Sequence, residues 1–410
     1  MNSAESVVLL VGCGRRRYRE YLLASAGSRH PIWLLDESGP TWQAPYVRGG
    51  TAVDVLDRDA LVAAARVVAA SVPVLGVFSW DEMLIVNTAH VAAALGLRGS
   101  GISGVEGCRD KVRNRRVLAA AGLAQPQFAF VTDQAQAVAA AGRIGYPVVV
   151  KPRGLGASIG VVLAANAAEV RTAFSAAETV SRLAAPAYEG SALIEEYLAG
   201  PEFCIDGAIT GGLYVPMYLA RKMVGMFPWF EELGHVVNPA DELLSDPRLL
   251  ATLTLAHQAI EFQDGITHTE VKLTERGPMI VEINGRLGGD FVPLLARYAS
   301  GIEPGAVAVD VATGRPLRIP VAAGRCVGIR FAYPPHDCVA DSVSVPQPCP
   351  QDGLLEAGVL VDPGTRLKLP PSGFISRHAY VICAGRSPDE CAARLDKAVA
   401  QVRLTSHPIS

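Results

Sequence analysis

The chain has 410 residues, with 37 Lys+Arg against 40 Asp+Glu, a formal charge of −3, 50% hydrophobic residues and 19% charged ones. That profile excludes a disordered chain or a small binding module, and the length suggests two to four domains of roughly 100 to 200 residues each. Near-neutral balance without long runs of like charge argues against nucleic acid or an anionic membrane as partner and for a small molecule.

The first segment, SVVLLVGCGRRRYREYLLASAG followed by PIWLLDE, reads as a strand, a glycine turn, a helix and a second strand ending at Asp36. As a dinucleotide fingerprint it starts with Gly12 and Gly14, but Arg17 takes the third glycine position, so a Rossmann-like fold without that cofactor is expected. Glu5 precedes a short apolar run with no cleavage site, which speaks against a signal peptide and for a cytoplasmic protein. Leu61 to Phe78 is the most apolar stretch, yet Arg66 and Pro73 interrupt it. A helix up to Ser71 and a buried strand from Val74 fit it better than a membrane span. The strand VLGVFS, a helix in DEMLIVNTAHVAAALGL and a loop RGSGISGVEGC then close a doubly wound unit near residue 108.

Asp110 is a good N-cap for the helix DKVRNRRVLAAAG, whose arginines read as a solvated face. The strand QFAFV and a helix around DQAQAVAAAGRIG lead into YPVVVKPRGLGASIGVVLA, where a glycine loop joins two β-rich runs. A Walker loop needs a helix there and is excluded. Lys151 ends a buried run, where an unpaired ammonium is costly, so it needs an anion. The loop with Gly154, Gly156 and Gly160 around Ser158 can bring backbone N–H groups to phosphates and act as a lid. ALIEEYLAGPEFCID sets Glu195, Glu196 and Glu202 around a strand and a turn at Gly200 and Pro201, suited to an amine-bearing base and a ribose. Only 6 of the basic residues are Lys, and Lys111, Lys151, Lys222 and Lys272 all lie beside these motifs. A compact ammonium suits a polyphosphate.

ITHTEVKLTERGPMIVEINGRLGGD reads as a β-hairpin with strands near 267–273 and 279–284 around a loop at 274–278. That loop sets Glu270 opposite Glu282, with Asn284 on the face of Glu282, and His268 and Lys272 on that of Glu270. Two carboxylates about 4 Å apart repel by roughly 4 kcal/mol at an effective dielectric of about 20, so a cation is expected between them. Oxygen ligands without Cys favour Mg²⁺. Alone, the hairpin is also readable as a surface ribbon with solvated acids. From about residue 316, short β-like runs such as RHAYVICAG and a last helix SPDECAARLDKAVAQV read as a smaller α+β domain. The eight cysteines form no CxxC pair, so reduced thiols without zinc or disulfides are expected.

In this order, DEMLIVNTAHVAAALGLRG, RDKVRNRRVLAAAGLAQPQF, VVVKPRGLGASIGV, LIEEYLAGPEFCID and HTEVKLTERGPMIVEINGRLGGD resemble the ATP-grasp carboxylate-amine ligases from about residue 81 onward. The resemblance implies an α/β protein: a Rossmann-like N-terminal domain over 1–108, an ATP-grasp domain over 109–315 with a glycine-loop lid at about 128–200, and a C-terminal α+β domain over 316–410. It implies that Lys111 and Lys151 contact ATP phosphates beneath the loop of Gly156 and Ser158. By the same resemblance Glu195, Glu196 and Leu198 hold adenine, Glu202 the ribose and Lys222 the γ-phosphate. Glu270, Glu282 and Asn284 are implied to bind Mg²⁺, with Arg286 facing the transferred phosphate and the substrate carboxylate. In the family's mechanism a carboxylate takes the γ-phosphate as an acyl phosphate, which an amine opens to an amide with release of ADP and phosphate; Lys151 and Arg286 are the expected catalytic charges.

The ending Arg-Leu-Gly-Gly differs from the Gln-Val-Glu-His-type run of biotin-dependent carboxylases and the Asn-Thr-x-Pro-Gly pattern of D-alanine–D-alanine ligases. It looks like the L-amino-acid ligases, which make dipeptides and dipeptide-like antibiotics. In that group an acid and a His three residues apart, in a long loop, help bind the amino acid; Glu232 and His235 match. Gly288, Gly289 and Asp290 form the implied substrate turn, and Asp290 departs from members with an aromatic there, which points to a polar or amine-bearing substrate. The expected function is ATP- and Mg²⁺-dependent amide formation between a carboxylic acid, an amino acid foremost, and an amine. Carboxylation through carboxyphosphate and nucleotide binding without turnover are the rivals. Dimers are common among such relatives, so the resemblance allows a homodimer.

Overall fold

The computed structural model describes residues 6–156, 158–184, 190–319 and 324–409. The N-terminal unit alternates β1 (Val7–Val11), α1 (Arg16–Arg29), β2 (Ile32–Asp36), β3 (Gly49–Ala52), α2 (Arg58–Ser71), β4 (Val74–Phe78) and α3 (Ile85–Ala94). Its strands run parallel in the order β3-β2-β1-β4. β1 is buried at every position, as a strand covered on both faces must be, so VVLLV shows no alternation. In the turn after β1 both glycines have positive φ, and Cys13 N donates to Asp36 Oδ2 at 3.1 Å, so Asp36 secures the turn. Among the described residues no helix is long and apolar enough to cross a membrane.

RGSGISGVEGC, expected as a loop, instead forms α4 (Ile102–Arg109). A Cβ on Gly104 would sit 3.0 Å from Phe262 Cα, so the small residues that suggest a loop serve close helix packing. Asp110 caps α5 (Lys111–Ala120), accepting from Val112 N and Arg113 N.

The lid comprises β5 (Phe128–Val131), α6 (Gln134–Ile144), β6 (Val148–Pro152), β7 (Val162–Ala164), α7 (Ala167–Ala184) and β8 (Ala192–Glu196). Its antiparallel sheet, ordered β5-β8-β6-β7, buries Val148, Val150 and Ile194 with Phe174 in a core of its own. The glycine loop joins β6 to β7, as its flanking β-rich runs require; Ala157 within it lies outside the described residues, as do lid residues 185–189.

The remaining elements are β9 (Glu202–Thr210), β10 (Leu213–Gly225), β11 (Glu231–Val237), α8 (Pro247–Ala259), β12 (Gly265–Thr274), β13 (Gly277–Asn284), α9 (Val292–Ser300) and α10 (Pro304–Thr313). After them come β14 (Cys326–Ala332), β15 (Cys338–Ser344), β16 (Leu354–Val359), β17 (Arg366–Leu367), β18 (Ala379–Gly385), α11 (Pro388–Val399) and β19 (Arg403–Pro408). Eight strands form one sheet, β13-β12-β9-β10-β11-β14-β18-β16, which runs through the expected boundary at 315–316. A small sheet β17-β15-β19 flanks it. All eight cysteines are free.

Candidate active site

The β12–β13 hairpin turns at Glu275 and Arg276, with Thr274 opposite Gly277, so the expected five-residue loop is shorter. Near the turn Val271 pairs with Ile280; a bulge then lets Glu270 pair with Glu282 and His268 with Asn284. The extra residue, Val281, moves every later side chain of β13 by one position, which sets Glu282 against Glu270. Arg115 of α5 holds the bulge, donating to Ile280 O and Val281 O at 2.8 Å each.

Pairing extends this face across the sheet. Cys204 of β9 lies opposite Glu270, Asp206 opposite His268 and Glu202 opposite Lys272. On β10 Arg221 pairs with Phe203, which sets Lys222 beside Glu202, and on β11 His235 pairs with Lys222. The alternate residues Phe203, Ile205, Val271 and Ile283 point the other way, into the core beneath α8. Glu232 and His235, expected in a loop, thus stand on β11, because β10 and β14 pair with it on both edges.

Between this face and the lid lies a cavity with about 780 Å³ of unoccupied space, lined by Lys111, Lys151, Gly156, Ser158, Glu195, Glu196, Leu198, Glu202, Lys222, Glu270 and Glu282. Val149, Val161 and Phe230 supply apolar wall. Lys151, 5% exposed, has its anion in Glu195 at 2.6 Å, and Arg115 Nε meets the same carboxylate at 2.6 Å. Burial pushes the Glu195 pKa up, but the two cations outweigh it and bring it down to about 2. Burial lowers the pKa of Lys151. Glu196 accepts from Gln127 N at 3.0 Å and pairs with Arg276. Both carboxylates are therefore engaged, and what 196–198 offers a base is backbone.

The cross-strand glutamates hold internal cations. Lys111 Nζ bonds Glu282 at 2.8 Å and the Leu155 carbonyl. Lys222 Nζ lies 2.8 Å from Glu202, 2.8 Å from Glu232 and 3.1 Å from Glu270. Burial opposes charge on Lys222, yet the three carboxylates prevail and raise its pKa well above the ordinary value. The oxygens of Glu270 and Glu282 thus sit where positive charge already gathers, and these hard donors with neighbouring Asn284 fit a divalent cation.

A second cavity, with about 530 Å³ of unoccupied space, is lined by Glu232, His235, Glu270, Arg286, Gly289, Asp290 and, from the C-terminal segment, Ile375 and Arg377. Arg286 Nε pairs with Glu82 at 2.9 Å. Gly288 commits its N–H to Asp206 Oδ2 at 2.8 Å, and a Cβ there would fall 2.8 Å from His268 Nδ1, so the loop closes tightly at this glycine. Asp290 and Phe291 have φ of 53° and 61°, backbone strain of the kind held at functional sites. Asp290 Oδ1 pairs with Arg377 Nη1 at 2.6 Å, and Oδ2 lies 3.5 Å from His235 Nε2.

Sequence reasoning missed Arg115, Glu82, Asp206 and Arg377. Asp206, 0% exposed, had a signal: an acid within the apolar run FCIDGAI. It bonds His268 Nδ1 at 2.6 Å. Arg115 was hidden among exposed-looking arginines, and Arg377 reaches the site only through sheet pairing that local pattern does not encode.

Residues 144–293 match the ATP-grasp domain model. An uncharacterized protein of Sinorhizobium fredii is 24% identical over 87% of this chain and 74% of its own. Alanine–anticapsin ligase of Bacillus subtilis is 26% identical over 56% of this chain, and the chain spans about half of that ligase, 52%. A solved L-amino acid ligase from Bacillus licheniformis superposes with a TM-score of 0.79 at 20% identity, over 99% of this chain and 100% of that one. The α/β fold and the family resemblance expected from the sequence are borne out as far as these matches reach: residues 144–293 resemble the ATP-grasp domain, and the chain as a whole has the fold of that L-amino acid ligase.

Proposed function

We propose that the protein is an ATP-dependent ligase joining a carboxylic acid, an amino acid foremost, to an amine through an acyl phosphate. The observation that carries this is Glu270, which lines both the lid-side cavity and the second cavity and pairs across the hairpin with Glu282. One metal-binding pair thus borders the space for a nucleotide tail and the space for an acceptor.

Glu270, Glu282 and Asn284 would hold Mg²⁺, which would supply neutralisation of the phosphate oxygens. Lys111 and Lys151 bind the phosphates from the lid side, and Lys222 exchanges its carboxylates for the γ-phosphate. Arg286 orients the substrate carboxylate toward that phosphorus, and positioning with charge neutralisation does most of the catalytic work. Closure of the 154–160 loop excludes water, which would hydrolyse the acyl phosphate. Glu232, His235 and Asp290 receive the amine. Dependence on ATP suits a cytoplasmic location, and sedimentation tests the homodimer that the resemblance allows.

ADP and phosphate release across paired amino acids, followed by product mass, tests the assignment. A dipeptide or other amide with stoichiometric ADP is expected. ADP formed with bicarbonate alone would replace the reading with a carboxylase, and nucleotide binding without ADP from any mixture would replace it with a binding protein.

A further inference from the structure

An amine attacks an acyl phosphate only as the neutral nitrogen, yet it arrives at neutral pH as an ammonium. Something in the acceptor cavity must take a proton. Its carboxylates are poorly suited: Asp290 is held by Arg377 at 2.6 Å, and Glu232 and Glu270 share Lys222. The guanidinium groups of Arg286 and Arg377 have no basic site. His268 has both nitrogens facing carboxylates, Asp206 at 2.6 Å and Glu270 at 3.7 Å.

His235 differs. It is 2% exposed, and among the described residues neither ring nitrogen finds a hydrogen-bond partner. Nε2 faces a gap between Glu232 Oε2 at 3.2 Å and Asp290 Oδ2 at 3.5 Å, charge contacts out of hydrogen-bond alignment. The three acceptor atoms lie within 4.8 Å of one another, which fits a primary ammonium held by two carboxylates against an imidazole.

Resting on the ligase reading above, we propose that His235 is the general base for the attacking amine, and that Glu232 and Asp290 are positioning residues that hold ammonium and imidazole together. The ammonium passes one proton to His235 Nε2. The freed lone pair attacks the acyl carbon, a C–N bond forms and the C–O bond to phosphate breaks, and phosphate leaves with the electron pair. The nitrogen's second proton goes to the departing phosphate, and His235 returns the first to solvent.

The charged groups facing His235 are Lys222 on β10, Glu232 on β11, Asp290 before α9 and Arg377 behind Asp290. Burial lowers its pKa, but Asp290 and Glu232 outweigh burial and raise it. Below that pKa the ring holds its own proton and repels the incoming ammonium, so kcat/KM for the amine falls as pH drops.

Hydroxylamine, neutral at pH 7, needs no base and traps the same acyl phosphate. The test compares hydroxamate and amide formation in the wild type and in His235→Gln from pH 6 to pH 10. Amide formation in the variant should fall about 10²–10⁴-fold at pH 7, hydroxamate formation far less, and the amide deficit should shrink as pH approaches the amine's own titration. Equal losses with both nucleophiles, or a loss independent of pH, would overturn the base. Should the variant not fold, the wild-type profile decides: amide formation must level off well below the amine's own titration, and a rise that continues up to that titration overturns the proposal. Absence of hydroxamate from the wild type with every acid tried would instead sink the ligase reading.

Discussion

Lys222 is where one side chain's charge carries the most consequence. Its ammonium neutralises three carboxylates from different strands: Glu202 of β9, Glu270 of the cross-strand pair and Glu232, which lines the second cavity. Lys222→Met leaves all three crowded without a counterion, and a fall in kcat of about 10²–10³-fold is expected in an ADP-release assay. Unchanged turnover would remove Lys222 from the mechanism. Glu282→Gln acts differently, because it takes one charge from the proposed metal pair and frees Lys111. There the expected change is a higher Mg²⁺ concentration at half-maximal rate, found by titrating Mg²⁺, with EDTA abolishing activity in the parent. At this scale much was readable from the sequence: residue types and alternation put Glu270 opposite Glu282 even though the turn was misjudged. The turn is shorter than expected, and the bulge at Val281 restores the offset.

That bulge makes the hairpin an element stabilised from outside itself. Arg115 serves Glu195, Ile280 O and Val281 O at once while 2% exposed, so α5 ties the lid strand β8 to the edge of the central sheet. Without Arg115, Glu195 keeps Lys151 but the Ile280 and Val281 carbonyls lose their buried donor, so Arg115→Met should destabilise the protein in denaturant unfolding by about 1–3 kcal/mol for each carbonyl left unsatisfied. A value near zero would mean that the bulge holds its own register. A second junction lies under α8, where His257 sits between Leu253 O at 2.7 Å and Thr267 Oγ1 at 2.8 Å, stacked on Tyr214 at 4.5 Å. Burial lowers its pKa from 6.5 to about 4. The unfolded chain therefore takes up a proton that the folded chain refuses. The stability His257 contributes is whole above pH 6.5 and is lost as pH falls toward 4, on the order of 3 kcal/mol. Unfolding curves across that window should show the decline, and His257→Gln should flatten it. None of this was readable beforehand, since a lone histidine in a helix carries no mark of what packs over it.

Across the whole molecule, the local text and the long-range pairing part company at residue 315. Composition changes there, with shorter β-like runs and more turns, and that local signal suggested a separate C-terminal domain. Strand pairing is not local: β14 bonds to β11, β18 to β14 and β16 to β18, extending the sheet that carries Glu270 and Glu282. Ile329, Phe331, Tyr380 and Ile382 share one apolar core with Leu10 and Leu22 from the N-terminal unit and with Tyr218 and Phe291 from the centre. By contrast the parallel N-terminal sheet was readable, because its strands follow one another in sequence and each is a short apolar run closed by a turn. The lid has its own core and meets the rest through a small apolar contact, Trp229 packed on that core, and through polar contacts such as Arg115 with Glu195. Two cooperative units are therefore expected, the lid and everything else, and native-state hydrogen exchange should show β5 to β8 opening at lower free energy than the central sheet. A fragment of residues 316–410 has an unpaired β14 edge and is cut off from most of the residues of that shared core. It should give the circular dichroism of an unfolded chain, with no protected amides; a cooperative thermal transition in that fragment would show that the C-terminal segment is a domain after all.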